Sequence, residues 1–199
     1  VAPDVTFAYD EKNDLLFGKA FDCRIGCAAL METLRRLDGE ELACDVVAAY
    51  SSQEEIGGRG AIVTSRQVEA DLAIVFEGTP ADDYFAHPDQ TQTALGKGAM
   101  LRHIDRTMIT HPGFQKYALE LARKHNIPVQ EGVRRGGGTN GAPIHTEGAG
   151  IPTIVIGIPV RYIHTHYGWA KLCDVEAAVA LATELLRSFD ESTLEKLVY

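Results

Sequence analysis

The sequence predicts an α/β fold, a three-layer αβα sandwich built around a mostly parallel central sheet. Apolar runs bounded by turn residues alternate with stretches of helical periodicity, the pattern of strands joined by crossover helices. Two of those runs, residues 72–76 and 153–158, are apolar without a break, as strands covered on both faces must be. A chain of 199 residues with 45% hydrophobic content suffices for one core in one domain, residues 1–199.

The elements follow in order. Residues 5–9 and 15–19 read as strands of a hairpin, joined by Asp10-Glu11-Lys12-Asn13-Asp14. Residues 24–37 place Ile25, Ala28, Ala29, Leu30, Leu34 and Leu37 close to one helical face. A strand is expected at 44–50, a helix at 59–69, and a central strand at 72–76. The polar stretch 77–97, with Pro80, Asp82, Asp83 and Pro88, reads as an active-site loop. Then come a strand at 100–104, a helix at 113–125 opened by Pro112, and a strand at 128–133. Residues 136–141 form a glycine-rich turn into a short helix, 153–158 the second fully apolar strand, and 175–189 a long closing helix.

Composition narrows the function. A formal charge of -9 without a basic patch repels phosphate backbones, so nucleic acid is not an expected partner. No apolar run approaches the roughly 20 residues that cross a bilayer, and Asp4, Asp10 and Glu11 occupy a start that lacks the basic and apolar regions of a signal peptide. A cytoplasmic protein with no membrane partner is expected. Cys23, Cys27, Cys44 and Cys173 include no Cys-x-x-Cys pair, so free and mostly buried thiols are expected in place of a zinc ribbon or a disulfide framework. The abrupt start at Val1-Ala2-Pro3, already leading into a strand, reads as that of a fragment.

The chemistry concentrates at Ser51-Ser52-Gln53-Glu54-Glu55-Ile56-Gly57-Gly58-Arg59-Gly60, where two adjacent carboxylates sit in a glycine-rich turn after an apolar run. Adjacent acids point in different directions, so one can bind a metal while its neighbour takes a proton from water. That is hydrolytic chemistry. Asp22 before a helix, Glu77 after 72–76 and His164 after 153–158 lie where strand ends of an open sheet converge. Four acids so close need positive partners, and divalent cations held by oxygens and one imidazole suit zinc, cobalt or manganese. Each residue alone also has an ordinary reading: Asp22 as a helix cap, Glu54, Glu55 and Glu77 as solvated acids, His164 as a hydrogen-bonded histidine with His166 as rival.

Lys19-Ala20-Phe21-Asp22-Cys23-Arg24-Ile25-Gly26, Gln53-Glu54-Glu55-Ile56-Gly57 with Arg59-Gly60-Ala61, Gly137-Gly138-Thr139-Asn140, and Ile156-Gly157-Ile158-Pro159 with Arg161-Tyr162-Ile163-His164 resemble the tetrahedral and glutamyl aminopeptidases, dinuclear metallopeptidases sometimes labelled endoglucanases. The resemblance runs over residues 17–189 in the right order and spacing. It implies that Asp22 bridges two metal ions, that Glu55 and His164 complete one site and that Glu77 binds the other. It makes Glu54 the general base, puts Gly138, Thr139 and Asn140 on the substrate pocket, and implies a hollow homododecamer that takes peptides. Residues 1–17 then correspond to the return from an inserted β-domain, and one metal-ligand histidine belongs to a segment before it.

Three departures stand out: Cys23 where the family often has a second aspartate, Glu77 for the commoner Asp, and Asn140 for Asp. Arg134 and Arg135 beside the glycine-rich turn are candidates for pairing with an acidic substrate side chain. Two other readings keep the same residues: a glycoside hydrolase, whose two carboxyls must face each other across a sugar, and a non-catalytic relative that has lost a metal.

Overall fold

The computed structural model describes residues 3–198. Two sheets form. A three-stranded antiparallel sheet has the order β1 (Ala8–Asp10), β2 (Leu15–Gly18), β7 (Gly168–Lys171). The central sheet has four strands in the order β3 (Ala73–Pro80), β6 (Thr153–Val160), β4 (Ala99–Ile104), β5 (Val129–Val133). Two of its three pairings, β3 with β6 and β4 with β5, are parallel, while β4 runs antiparallel to β6.

Strand parity sets the layers. On β6, Ile154, Ile156 and Ile158 belong to the main core, whereas Val155 packs with Val75, Met108 and Ile144 on the opposite face. The first face is covered by α1 (Phe21–Leu37), α3 (Pro112–Lys124) and α5 (Leu172–Ser188), with α6 (Glu191–Val198) against α3. The second face meets α4 (Gly141–Ile144), against which α2 (Arg59–Val68) packs. The αβα sandwich therefore forms as expected.

Several expectations need correction. Residues 44–50 form no strand: their burial alternates as a strand's would, but no neighbour among the described residues supplies a hydrogen-bonding ladder. The run 72–76 leads into an edge strand of the described sheet, whose interior strands are β4 and β6, the latter buried at every position. β3 also continues to Pro80, so Glu77 lies inside a strand and not after one. The chain closes with α6, not with the long helix before it. No helix among the described residues is long and apolar enough to cross a membrane. The four cysteines are free, but Cys173 is exposed and the other three are half-buried.

The segment between β3 and β4 is ordered by carboxylates. Asp82 Oδ1 accepts from the backbone N–H groups of Gln92 and Thr93, at 3.1 and 2.9 Å. Asp83 accepts from Leu95 N–H and is gripped at both oxygens by Arg161. Asp174, wholly buried at the start of α5, accepts from Gly96 N–H and Gly98 N–H, each at 2.7 Å. Gly98 has φ +91° and runs so close to Pro128 that a Cβ would sit 1.9 Å from its carbonyl oxygen, so only glycine fits.

Burial pushes the Asp174 carboxyl up to about 6, with the two amide donors opposing it. In the unfolded chain the group ionises near about 3.9, so the folded state binds its proton more tightly. Its contribution to stability therefore falls as pH rises from about 4 to about 6, then levels off. Asp174→Ala strands two buried donors and is expected to cost about 1–3 kcal/mol in urea denaturation at pH 7. The deficit should be larger at pH 4 than at pH 7, because the wild type regains what the variant has no group to regain.

Candidate metal centre

The turn that carries Glu54 and Glu55 is a single 3₁₀ turn, Glu54–Ile56, between two left-handed residues, Gln53 at φ +60° and Gly57 at φ +109°. The N–H groups of Gly57 and Gly58 both donate to the carbonyl of Glu54, at 3.0 and 2.9 Å. Gly60 closes the turn onto Ser52 at 2.9 Å, and a Cβ there would lie 2.4 Å from the Ser52 carbonyl oxygen. The glycines therefore let the backbone fold tightly enough to present two carboxylates in succession.

Of the non-glycine residues with positive φ, Ala20, Gln53, Tyr162 and His164 all stand beside the acidic cluster. Strained backbone of this kind persists where surrounding structure demands it, and it concentrates at functional sites. Tyr162 at +58° and His164 at +60° bend the chain after β6 so that the imidazole returns to the sheet. His164 Nε2 lies 2.7 Å from Asp22 Oδ2 and 3.6 Å from Glu55 Oε2.

Asp22 opens α1 with non-helical backbone angles, and its side chain caps nothing, because the capping position belongs to Ala20. The ordinary cap reading of Asp22 is thereby set aside. The α1 backbone at Phe21 and Asp22 presses on β3 at Gly78, where a Cβ would meet the Phe21 carbonyl oxygen at 3.1 Å. Two groups of potential metal donors result, each with its donor atoms within 4.8 Å of one another: Asp22, Glu55 and His164, and Asp22, Cys23 and Glu77. Asp22 belongs to both. The Cys23 sulfur also accepts from Gly78 N–H at 3.2 Å and sits 3.6 Å from the Phe76 carbonyl oxygen, straddling the backbone of Glu77.

The electrostatics are those of crowded anions. Glu77, 5% exposed, is held far above the ordinary carboxylate range by burial and by the neighbouring Asp22. Half-buried Glu54 is raised by desolvation, then by Glu55 and Asp22, and among the described residues its side chain makes no hydrogen bond. Arg102 opposes both shifts from a buried position on β4, donating to Asp105 at 2.9 Å while its Nε finds no partner. Sequence reading passed over Arg102; an arginine amid the apolar residues of a predicted strand was its signal. Crowded oxygens with one imidazole, and a carboxyl forced to keep its proton, are a donor set that divalent cations fit.

A cleft of about 490 Å³ opens on these residues. Asp22, Glu54, Glu55, Glu77 and His164 all line it, as do Gly138 and Thr139 of the glycine-rich turn. Asn140 does not; it starts α4 with its Oδ1 buried and unpartnered. Of residues 77–97 only Glu77, Gly78 and Pro80 reach the cleft, all from β3, so the expected active-site loop is mainly a pinned connection. Arg134 borders the cleft, but it donates to Asp82 at 3.0 Å, to the Pro80 carbonyl at 2.9 Å and to Thr93. Those contacts engage both terminal nitrogens, which removes it as the expected partner of an acidic substrate side chain, and Arg135 is exposed and outside the lining.

Known proteins resemble this chain in sequence and in fold. The glutamyl aminopeptidase of Lactococcus lactis is 31% identical over 166 residues, covering 83% of this chain and 46% of the relative. The crystal structure of a TET aminopeptidase from a marine sediment archaeon, a thaumarchaeote, superposes with a TM-score of 0.93 at 38% identity, over 96% of this chain and 55% of that one. The Pyrococcus horikoshii TET1 peptidase, described as able to assemble into a tetrahedron or a large octahedral shell, gives 0.81 at 25% identity, over 92% of this chain and 54% of that one. The chain thus spans about half the length of the relatives it matches. With residues 1–181 matching the family described as M42 glutamyl aminopeptidase, this chain belongs to that family.

Proposed function

We propose that the chain carries the catalytic half of a metal-dependent aminopeptidase, which hydrolyses the bond after the N-terminal residue of a peptide. The observation that carries this reading is the membership of Asp22 in two donor groups, with Glu54 left free beside them. Asp22, Glu55 and His164 would hold one cation, and Asp22 with Glu77 the other. Zinc or cobalt suits the set, with manganese as the harder alternative. When bound, such cations polarise a carbonyl and acidify an attacking water.

The residues of the chain do the rest. Glu54 accepts the proton of the attacking water and returns it to the leaving amine. Its raised affinity for a proton suits a carboxylate that must hold one briefly. The acidic wall attracts the positive α-amino group of a free N-terminus, which favours end-trimming over internal cleavage. Gly138 and Thr139 line the pocket for the departing residue. Free thiols suit a reducing cytoplasm, and the assembling TET1 neighbour supports a homo-oligomer, a tetrahedral dodecamer, as the working form.

Glu54→Gln in the full-length protein should lower kcat on aminoacyl-p-nitroanilides by about a hundredfold to ten-thousandfold, with two metal ions per chain retained. Hydrolysis at the wild-type rate by that variant removes Glu54 as the base, and a wild type that binds no metal favours a non-catalytic role.

Metal binding should also be linked to protons. Burial and Asp22 raise the proton affinity of the Glu77 carboxyl, which must be ionised to bind a cation, so binding should release protons and tighten as pH rises. Calorimetry in buffers of different ionisation enthalpy measures the release, which Glu77→Gln should reduce.

A further inference from the structure

Cys23 belongs to one of the two donor groups, yet it does not line the cleft on which Asp22 and Glu77 open. Its sulfur is engaged elsewhere. It accepts from Gly78 N–H at 3.2 Å and donates toward the Phe76 carbonyl oxygen at 3.6 Å, the backbone groups on either side of Glu77. Asp22 immediately precedes it in the chain. One side chain therefore joins the residue that carries the shared carboxylate to the strand segment that carries Glu77.

The surroundings make room for this contact. A Cβ on Gly26, further along α1, would lie 2.4 Å from the Cys23 sulfur and 3.2 Å from the Phe76 carbonyl oxygen, so only a residue without a side chain lets the thiol reach β3 there. Gly78 does the same from the strand, where a Cβ would lie 3.3 Å from Asp22 Cα. Asp22 and Cys23 both have non-helical backbone angles, so regular helix geometry does not set their position and a tie from outside must. Glu54, Glu55 and His164 come from other elements, and the Cys23 sulfur bonds to none of them.

We infer that Cys23 is a positioning residue for the cation held by Asp22 and Glu77, fixing the spacing of those two carboxylates without itself touching the metal. The inference rests on the metal-dependent reading above. Zinc accepts a carboxylate oxygen at about 2.0–2.2 Å, so play between α1 and β3 weakens the site that spans them. The site of Asp22, Glu55 and His164 has no donor on β3 and keeps its own contact, His164 to Asp22 at 2.7 Å.

The test titrates the full-length, metal-free protein with cobalt(II), followed by absorption and by calorimetry, and compares Cys23→Ala with Cys23→Ser. Two binding steps are expected in the wild type, and Glu77→Gln identifies the one that depends on β3. Cys23→Ala should weaken that step by about tenfold to hundredfold, the usual cost of removing a partner behind a metal ligand, and leave the other step in place. Cys23→Ser, also smaller than cysteine but able to accept and donate, should recover most of the loss. Affinities unchanged in Cys23→Ala, both steps falling alike, or serine no better than alanine each overturn the positioning role alone. So does a sulfur-to-cobalt charge-transfer band in the near ultraviolet that Cys23→Ser abolishes, because it makes the thiol a ligand. A wild type that binds no cobalt overturns the metal-dependent reading and the positioning role with it.

Discussion

Three carboxylates gathered around a fourth, that of Asp22, are the constraint on which the rest of this structure depends. Asp22, Glu54, Glu55 and Glu77 share one cleft with a single imidazole, the buried guanidinium of Arg102 and the guanidinium of Arg134, which is paired with Asp82. Arg102 is partly spent on Asp105, and His164 already leans on two of the acids. Negative charge therefore exceeds positive inside a site where water screens poorly, and Glu77 responds by keeping its proton. Such an arrangement destabilises the folded chain unless cations join it, so its persistence speaks for binding and not for packing.

The fold holds these acids together mainly through backbone, with the His164 side chain bridging Asp22 and Glu55. Glu77 rides on β3 in register with Gly157 of β6, a position where a Cβ would crowd Thr79 at 2.9 Å. Gly78, next to it, lets the first turn of α1 lie directly on the strand, which brings Asp22 to its place. Left-handed residues at 20, 53, 162 and 164 then aim three separate connections at the same point. Rigid strands set the depth of the cleft, and strained turns set its aim.

Much of this was legible in the sequence, and the misses share a cause. The unbroken apolar runs at β3 and β6, and the helical faces of α1 and α3, announced themselves because burial on a fixed side leaves a period. Residues 44–50 carry the same alternation without becoming a strand, because a ladder needs a partner that no local pattern reveals. β7, Gly168–Lys171, carries no apolar run or hairpin turn to mark it, and the edge position of β3 is hidden because order within a sheet is a long-range property. Residue type and expected placement at element ends put Asp22, Glu54, Glu55, Glu77 and His164 together, and the five do line one cleft, although Glu77 sits inside β3 and not at its end. Asn140 lies outside the cleft lining and Arg134 borders it bonded to Asp82, Pro80 and Thr93, because proximity in sequence to a glycine-rich turn does not fix a side chain's partners.

The division of labour between Glu54 and Glu55 follows from the turn that holds them. Consecutive residues in a helical turn project about 100° apart at 3.6 residues per turn and further in a tighter one, so neighbouring acids cannot serve the same point. Glu55 emerges 59% exposed beside His164. Glu54 lines the cleft instead, half-buried, within the field of Arg102 and without a bonded partner among the described residues. One acid is thus oriented by an imidazole, and the other is kept free by the absence of anything to hold it. A carboxylate that must move a proton needs that freedom, and the glycines on its C-terminal side supply the turn without adding a side chain that could fill the space.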